Sequence, residues 1–329
     1  MAESKNIIGE GETSQRGGAG PQGNETVAGE APRFEVGDQP SYAHTVFFGP
    51  DGLKAGWGLA FYIAIFYPLQ FVAVRWALAL DIDRSGLWAM MLEEFAVFAA
   101  AAIPAVILAM VERRAWGAYG LPLRQAFGKL FWSGVVWGFA SITGLLVALR
   151  GLGAFQFGHL AIHGARVARF AVFWAVFFLL VGFFEEFLLR GYVQFTMARI
   201  AGFWRPAIFL SCMFGLIHSQ NSGEQWPGLL AAAWIGMFFC LTLWRTGTLW
   251  FAVGFHAAWD WGETFVYSVP DSGSLFPGHL LKSSFHGPTW LTGGMVGPEG
   301  SVLCFVVVAI AGAAFAKAYP EVRYAEVRE

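Results

Sequence analysis

Long runs of apolar residues, separated by short polar stretches, fill most of the chain after its first 50 residues. A helix needs about 20 such residues to cross about 30 Å of hydrocarbon, and each run is close to that length. The pattern predicts an all-α fold, a polytopic transmembrane helical bundle with about eight spans. The predicted spans are residues 57–74, 95–111, 130–149, 171–192, 203–217, 227–244, 248–267 and 301–316.

The first 50 residues have a different composition. They are rich in Gly, Glu, Ser and Gln and contain almost no aliphatic cluster, so they cannot bury enough apolar surface to order themselves. They also lack the basic segment and apolar core of a signal peptide. We therefore predict a disordered polar tail at 1–50, a transmembrane domain at 51–320 and a short C-terminal tail at 321–329.

Composition and charge support a membrane protein with the lipid bilayer as its surroundings. Hydrophobic residues make up 56% of the chain and charged residues 13%, against about 25% charged in an average soluble domain. The net charge of −2, without a polybasic arm, predicts no nucleic-acid partner. Lys and Arg are about twice as frequent on one set of span flanks, which places both termini in the cytoplasm.

Three ionisable residues interrupt the fourth predicted span. Glu185, Glu186 and Arg190 lie in an apolar run, where each charge costs about 2.5–3.5 kcal/mol unless it has a partner. Glu186 and Arg190 are four residues apart and can pair on one helix face. Glu185 points about 100° away from Glu186, so its partners must come from other spans.

Two later spans carry further polar residues at helical spacing. The fifth has Phe214 and His218, and the seventh has His256 and Asp260, each pair four residues apart. Glu263 follows three residues later near the outer end of its span, and we expect it to face water.

Two other features stand outside these motifs. The pair Glu93-Glu94 lies near a segment end and has Phe98 where an Arg partner would be needed, so we predict an interfacial position. Residues 269–300, rich in Gly, Pro and Ser, form a long outer loop whose length suggests a lid.

The order Glu-Glu-x-x-x-Arg, Phe-x-x-x-His and His-x-x-x-Asn/Asp, each inside an apolar helix, resembles the pattern of the CPBP intramembrane protease family. That family includes the eukaryotic CAAX prenyl endopeptidases and the bacterial bacteriocin-processing proteins. The resemblance covers residues 181–264. It implies an endopeptidase that acts on peptides or membrane-anchored proteins, and we expect it in a bacterial cytoplasmic membrane.

The resemblance also implies roles for these residues, without a cofactor. Glu185 would be the general base and would act with His218 on a water molecule, while Glu186 and Arg190 would be the supporting pair. The oxyanion would be stabilised by His256 and Asp260.

Asp260 departs from the eukaryotic members, which have Asn at this position, although bacterial relatives also have Asp. An ionised Asp cannot donate a hydrogen bond to an oxyanion, whereas Asn can. The sequence leaves three possibilities open for Asp260: a protonated carboxyl, an orienting contact to His256, or a ligand to a cation.

Two alternative functions use the same pattern. In the first, Glu185, His218 and His256 bind zinc, with water in the fourth position of a metalloprotease site. In the second, the chain is a non-catalytic membrane protein, such as a bacteriocin-immunity factor or a scaffold.

Overall fold

The computed structural model describes residues 41–49, 52–79, 86–115, 117–221 and 223–325. The chain divides into two compact units, Met1–Tyr42 and Ala43–Glu329, and the second contains nearly all of the described residues. Most of the predicted tail at 1–50 lies outside the described residues, as does the end of the predicted C-terminal tail. The predicted domain boundaries therefore remain predictions.

The described residues are mainly helical. The α-helices are α1 (Tyr42–Phe47), α2 (Ala55–Ala79), α3 (Leu87–Val111), α4 (Lys129–Gly151), α5 (Ala165–Arg190), α6 (Tyr192–Ala201), α7 (Trp204–His218), α8 (Trp226–Thr246), α9 (Trp250–Trp261), α10 (Thr289–Thr292) and α11 (Val302–Ala318). A π-helix at Gly262–Tyr267 continues α9, and 3₁₀ turns lie at Leu123–Gln125 and Pro298–Gly300. Two antiparallel pairs join the short strands β1 (Phe48–Gly49) to β2 (Gly52–Leu53), and β3 (Phe155–Gln156) to β4 (Ser284–Phe285).

Five helical segments are long and apolar enough to cross a membrane. They are Ala55–Trp76, Leu87–Val111, Lys129–Gly151, Ala165–Ala201 and Trp226–Thr246. The other three predicted spans correspond to α7, α9 and α11, which have 15, 12 and 17 residues. The predicted all-α membrane bundle is confirmed, and its spans differ more in length than the apolar pattern suggested.

The exposed and buried side chains of the bundle suit a lipid environment. Large apolar side chains such as Phe71, Val136 and Ile310 are about two-thirds exposed, whereas Glu186 and Arg190 are fully buried. Hydrocarbon accepts the exposed apolar surface and rejects unpaired charge, so the ionisable groups lie inside. This chain is an integral membrane protein.

Glycine residues allow α4 and α9 to pack backbone against backbone. A Cβ atom at Gly134 or Gly138 would collide with the carbonyl oxygen of Phe251 or Phe255, and one at Gly254 would collide with that of Phe131. Small residues spaced four apart let membrane helices approach closely. The contact holds α9, which carries two of the candidate site residues, tightly against α4.

The helical segment Ala165–Ala201, which contains the predicted fourth span at 171–192, is interrupted at Gly191. The sequence permits a continuous helix from residue 171 toward Arg199, but α5 ends at Arg190 and α6 begins at Tyr192. Gly191 lies between them, and a Cβ there would collide with the Phe187 carbonyl oxygen. The break leaves Glu185 in the last two turns of α5.

The loop at 269–300 is attached to the rest of the protein at several points. Strand β4, within this loop, pairs with β3, so that Phe155 lies opposite Phe285. A second bridge joins Leu160 to Leu281. These contacts hold the loop beside the segment that follows α4.

Candidate active site

Helices α5, α7 and α9 bring the predicted site residues to one cavity of about 190 Å³. Glu185 from α5, His218 from α7, and His256 and Asp260 from α9 all line it. The volume is enough for several water molecules. Residues that are 75 positions apart in the sequence, from 185 to 260, therefore face the same space.

Glu186 lies at the centre of a buried chain of charged groups. Its Oε1 atom is 3.3 Å from Nη1 of Arg190 and 3.0 Å from Nδ1 of His256. The side chains of Glu186 and Arg190 are fully buried. The first contact agrees with the helical spacing, while the second joins α5 to α9 and was not predicted.

The other ring nitrogen of His256 faces two more carboxylates. Its Nε2 atom is 3.4 Å from Oε2 of Glu185 and 3.4 Å from Oδ2 of Asp260. The imidazole therefore has its Nδ1 side directed to Glu186 and its Nε2 side directed to the cavity. The Glu186 carboxylate accepts a hydrogen bond from Nδ1 of His256. This contact holds the proton on Nδ1 and defines the orientation of the ring.

His218 is oriented by its own helix. Its Nδ1 atom is 2.8 Å from the carbonyl oxygen of Phe214. A carbonyl oxygen can only accept, so Nδ1 carries the proton in this contact. In the neutral ring Nε2 then keeps a lone pair and can accept a proton in the cavity.

Aromatic rings form one wall of the site and support its charged groups. The guanidinium carbon of Arg190 lies 4.3 Å from the centre of the Phe214 ring, in the range of a cation–π contact. The Phe239 ring stacks on His256, with ring centres 5.5 Å apart. Gly236 leaves room for the guanidinium, because a Cβ at this position would collide with Nη2 of Arg190.

Glu94 is a cavity residue that the sequence analysis missed. The predicted second span begins at residue 95, which placed Glu94 at an interface, but α3 begins at Leu87. Glu94 therefore lies two turns inside the helix and lines the cavity with Glu185. The apolar residues before Glu93 were the available signal for an earlier helix start.

The outer loop contributes a second group of residues to the cavity. Its members are Asp271, Ser272, Ser274, Phe276 and Glu299. The sequence suggested a lid from loop length alone, and that role stays a prediction. Burial and the charges of Asp260 and Glu299 raise the pKa of Asp271 well above its usual value.

Glu263 does not face water, contrary to our expectation. It is fully buried on the π-helix, and neither of its carboxylate oxygens has a hydrogen-bond partner among the described residues. The reason is the loop, which folds back over the end of α9. Ligand atoms of Glu263, Asp271 and Glu299 lie within 4.8 Å of one another.

The zinc alternative requires Glu185, His218 and His256 to converge on one ion. Within the described residues, the three-residue set whose ligand atoms lie within 4.8 Å of one another is Glu263, Asp271 and Glu299. The predicted zinc ligands form no such set as they stand, and one nitrogen of His218 is already used by a carbonyl group.

Comparison with known protein families gives a match to part of the chain. Residues 167–262 match the family model described as type II CAAX prenyl endopeptidase Rce1-like. The matched region contains all six predicted site residues and ends one residue before Glu263. No curated protein matches the chain.

Proposed function

We propose that this integral membrane protein is an intramembrane endopeptidase, because residues 167–262 match the Rce1-like family model of type II CAAX prenyl endopeptidases. Its substrates would be membrane-associated peptides or proteins, cleaved at a peptide bond by water. The observation that carries the proposal is the position of His256. It is held by Glu186 on one side and faces Glu185, Asp260 and the cavity on the other.

The proposed mechanism begins with a water molecule beside Glu185. The Glu185 carboxylate accepts a proton while the water oxygen attacks the carbonyl carbon of the substrate. The Nε2 atom of His218 is a second acceptor on the same cavity.

In the next step the tetrahedral intermediate carries a negative oxygen. We assign its stabilisation to His256, whose protonated ring can donate from Nε2. The proton taken by Glu185 then passes to the leaving nitrogen, and the carbon–nitrogen bond breaks. No residue becomes covalently attached to the substrate.

Asp260 has a narrower role in this proposal than the family pattern implies. Its Oδ2 atom is 3.4 Å from His256 Nε2, so an ionised Asp260 can orient the ring and balance its charge. Of the three possibilities that the sequence left open, this contact supports the orienting role. Glu186 contacts Nδ1 of the same ring and Arg190 contacts Glu186, so this pair acts on the site through His256.

The test uses the purified full-length protein in lipid nanodiscs. The substrate probe is a quenched fluorescent peptide that ends in a prenylated cysteine and three further residues, beside the same peptide without the prenyl group. Glu185→Gln is expected to lower kcat by about 100-fold or more, the usual contribution of a general base. Glu93→Gln is the matched control, because Glu93 is exposed and does not line the cavity.

Peptides from membranes of cells that express each variant extend the test to unknown substrates. Cleavage products that appear with the wild-type protein and with Glu93→Gln, but not with Glu185→Gln, would support the proposal. If Glu185→Gln, His218→Ala and His256→Ala all retain full activity, hydrolysis is not the function and the non-catalytic alternative gains support. If only the prenylated probe is cleaved, the substrate class is narrowed accordingly.

A further inference from the structure

A buried cluster of carboxylates lies beside the proposed active site, outside the region that matches the family. Glu263 comes from the π-helix that continues α9, and Asp271 and Glu299 come from the two ends of the outer loop. One ligand atom from each lies within 4.8 Å of the others. Glu263 follows Asp260 by three residues, so the cluster is one helical turn from the proposed active site.

Glu263 lacks any compensating group among the described residues. Its exposure is 0%, and both carboxylate oxygens are buried without a hydrogen-bond donor. Isolated buried carboxylates are very costly, and two further carboxylates within 4.8 Å increase that cost. A carboxylate in this position needs a cation or a proton.

The two loop carboxylates are held so that each leaves an oxygen available. Thr264 donates from Oγ1 to Oδ2 of Asp271 at 3.1 Å. Ser272 donates from its backbone nitrogen and its hydroxyl to Oε2 of Glu299, at 3.0 and 2.8 Å. These hydrogen bonds fix both side chains, and each carboxylate has a second oxygen that they do not use.

We propose that Glu263, Asp271 and Glu299 bind a hard divalent cation, with Ca²⁺ as the best match. All three ligands are carboxylate oxygens, the ligands that Ca²⁺ prefers. The set has no imidazole or thiolate group that would select Zn²⁺. Ca²⁺ binds oxygen at about 2.3–2.6 Å, so ligands on opposite sides of the ion are about 4.6–5.2 Å apart. The upper bound of 4.8 Å between the ligand atoms falls within that range. Mg²⁺ requires shorter bonds, of about 2.0–2.1 Å, in a near-ideal octahedron.

The bound cation would hold the outer loop over the cavity. Asp271 and Glu299 line the cavity and also belong to the cluster, and Ser272 lines the cavity beside them. The backbone nitrogen of Gly273 also donates to the carbonyl oxygen of Val296, which joins the two ends of the loop. Ca²⁺ would add a further connection, from both loop ends to the π-helix that continues α9.

This inference is tested by stability and proteolysis, so it does not depend on peptidase activity. The full-length protein in nanodiscs is compared in CaCl₂ and in the Ca²⁺ chelator EGTA. Ca²⁺ is expected to raise the unfolding midpoint by about 5 °C, as a ligand well above its Kd does. It is also expected to slow tryptic cleavage after Lys282, an exposed loop residue, by about tenfold.

Glu263→Gln should remove both Ca²⁺ effects. In EGTA this variant should be at least as stable as the wild type, because the substitution removes one of three neighbouring charges. Glu321→Gln is the matched control, since Glu321 is exposed and belongs to no cluster, and it should keep the full response. If Glu263→Gln does not fold, Glu299→Gln replaces it in the test, because Glu299 is only partly buried.

Three results would overturn the inference. The first is a wild-type protein whose stability and tryptic cleavage do not respond to Ca²⁺. The second is a folded Glu263→Gln or Glu299→Gln variant that responds as the wild type does. The third is protection by Zn²⁺ alone, which would contradict a hard-cation site.

Chelators also separate this site from the zinc alternative at Glu185, His218 and His256. EGTA inhibition that is reversed by Ca²⁺ would report the loop site. Inhibition by phenanthroline that is reversed by Zn²⁺ would contradict the metal-free mechanism. Because loop protection is measured without a substrate, failure of the peptidase proposal and failure of the cation site give different results.

Discussion

At the scale of single residues, Glu186 has more than the structural role that its spacing suggests. Arg190 follows Glu186 by four positions, and this spacing predicts an ion pair within one helix. The structure adds a contact of 3.0 Å from Glu186 to Nδ1 of His256. One carboxylate therefore connects an arginine on α5 to the imidazole on α9, and Arg190 acts on the site through it.

Arg190→Met tests the buried pair. The substitution leaves the Glu186 carboxylate in an apolar interior, where removal of one partner costs about 3–5 kcal/mol. His256 remains as a second partner, so we expect the lower end of that range, about 3 kcal/mol. Chemical unfolding in detergent measures the change, and Arg150→Met at the exposed end of α4 is the matched control.

The double variant Glu186→Gln with Arg190→Met separates stability from function. It leaves no unpaired buried charge, so stability should return toward the wild-type value. Its peptidase activity should be lower than that of the wild type, because Nδ1 of His256 has lost its carboxylate partner. Wild-type activity in this variant would contradict the positioning role that we assign to Glu186.

At the scale of secondary-structure elements, close packing of α4 and α9 positions the site. Gly134 and Gly138 are four residues apart in the sequence, a spacing that is typical of close membrane-helix pairs. The sequence thus contained a signal for this interface, although not for the identity of the partner helix. Gly254 supplies the corresponding gap on α9.

Gly138→Ala should destabilise the protein and lower activity. Its Cβ would collide with the Phe255 carbonyl oxygen and force α4 and α9 apart, at about 1–3 kcal/mol. The same substitution at Gly144, on the same helix, meets no atom within 4 Å and should be neutral or slightly stabilising. Unfolding midpoints and peptidase rates of the two variants measure the difference, and equal values would contradict a packed interface.

At the scale of the whole molecule, large apolar side chains are exposed on the outside as well as packed in the core. Ionisable side chains from several helices and from the outer loop converge on the inner cavity. The acidic residues of the loop, Asp271 and Glu299, meet those of α3, α5 and α9 at this cavity. A peptide would therefore enter a space that is rich in carboxylates.

The topology prediction is tested with single cysteines in a variant that lacks Cys212. An even number of spans with both termini in the cytoplasm places the outer loop outside the cell. Lys282→Cys should then react with a membrane-impermeant maleimide in intact cells, whereas Glu321→Cys should react only after the membrane is opened. The reverse labelling pattern would invert the orientation.

The sequence alone determined the membrane class, the all-α fold and the three motifs, because hydropathy and helical spacing are local properties. It also identified the Glu186–Arg190 pair, which lies within one turn of one helix. It did not reveal the break at Gly191, the contact between Glu186 and His256, or the place of Glu94 in the cavity.

Only the tertiary structure decided those features, and it changed the interpretation of Glu263 most. The sequence places this residue near the end of a span, where water is the expected partner. The outer loop folds over that end and brings Asp271 and Glu299 to it from 8 and 36 residues away in the sequence. Periodicity carries no information about such distant segments, because their contacts depend on how the loop closes over the bundle.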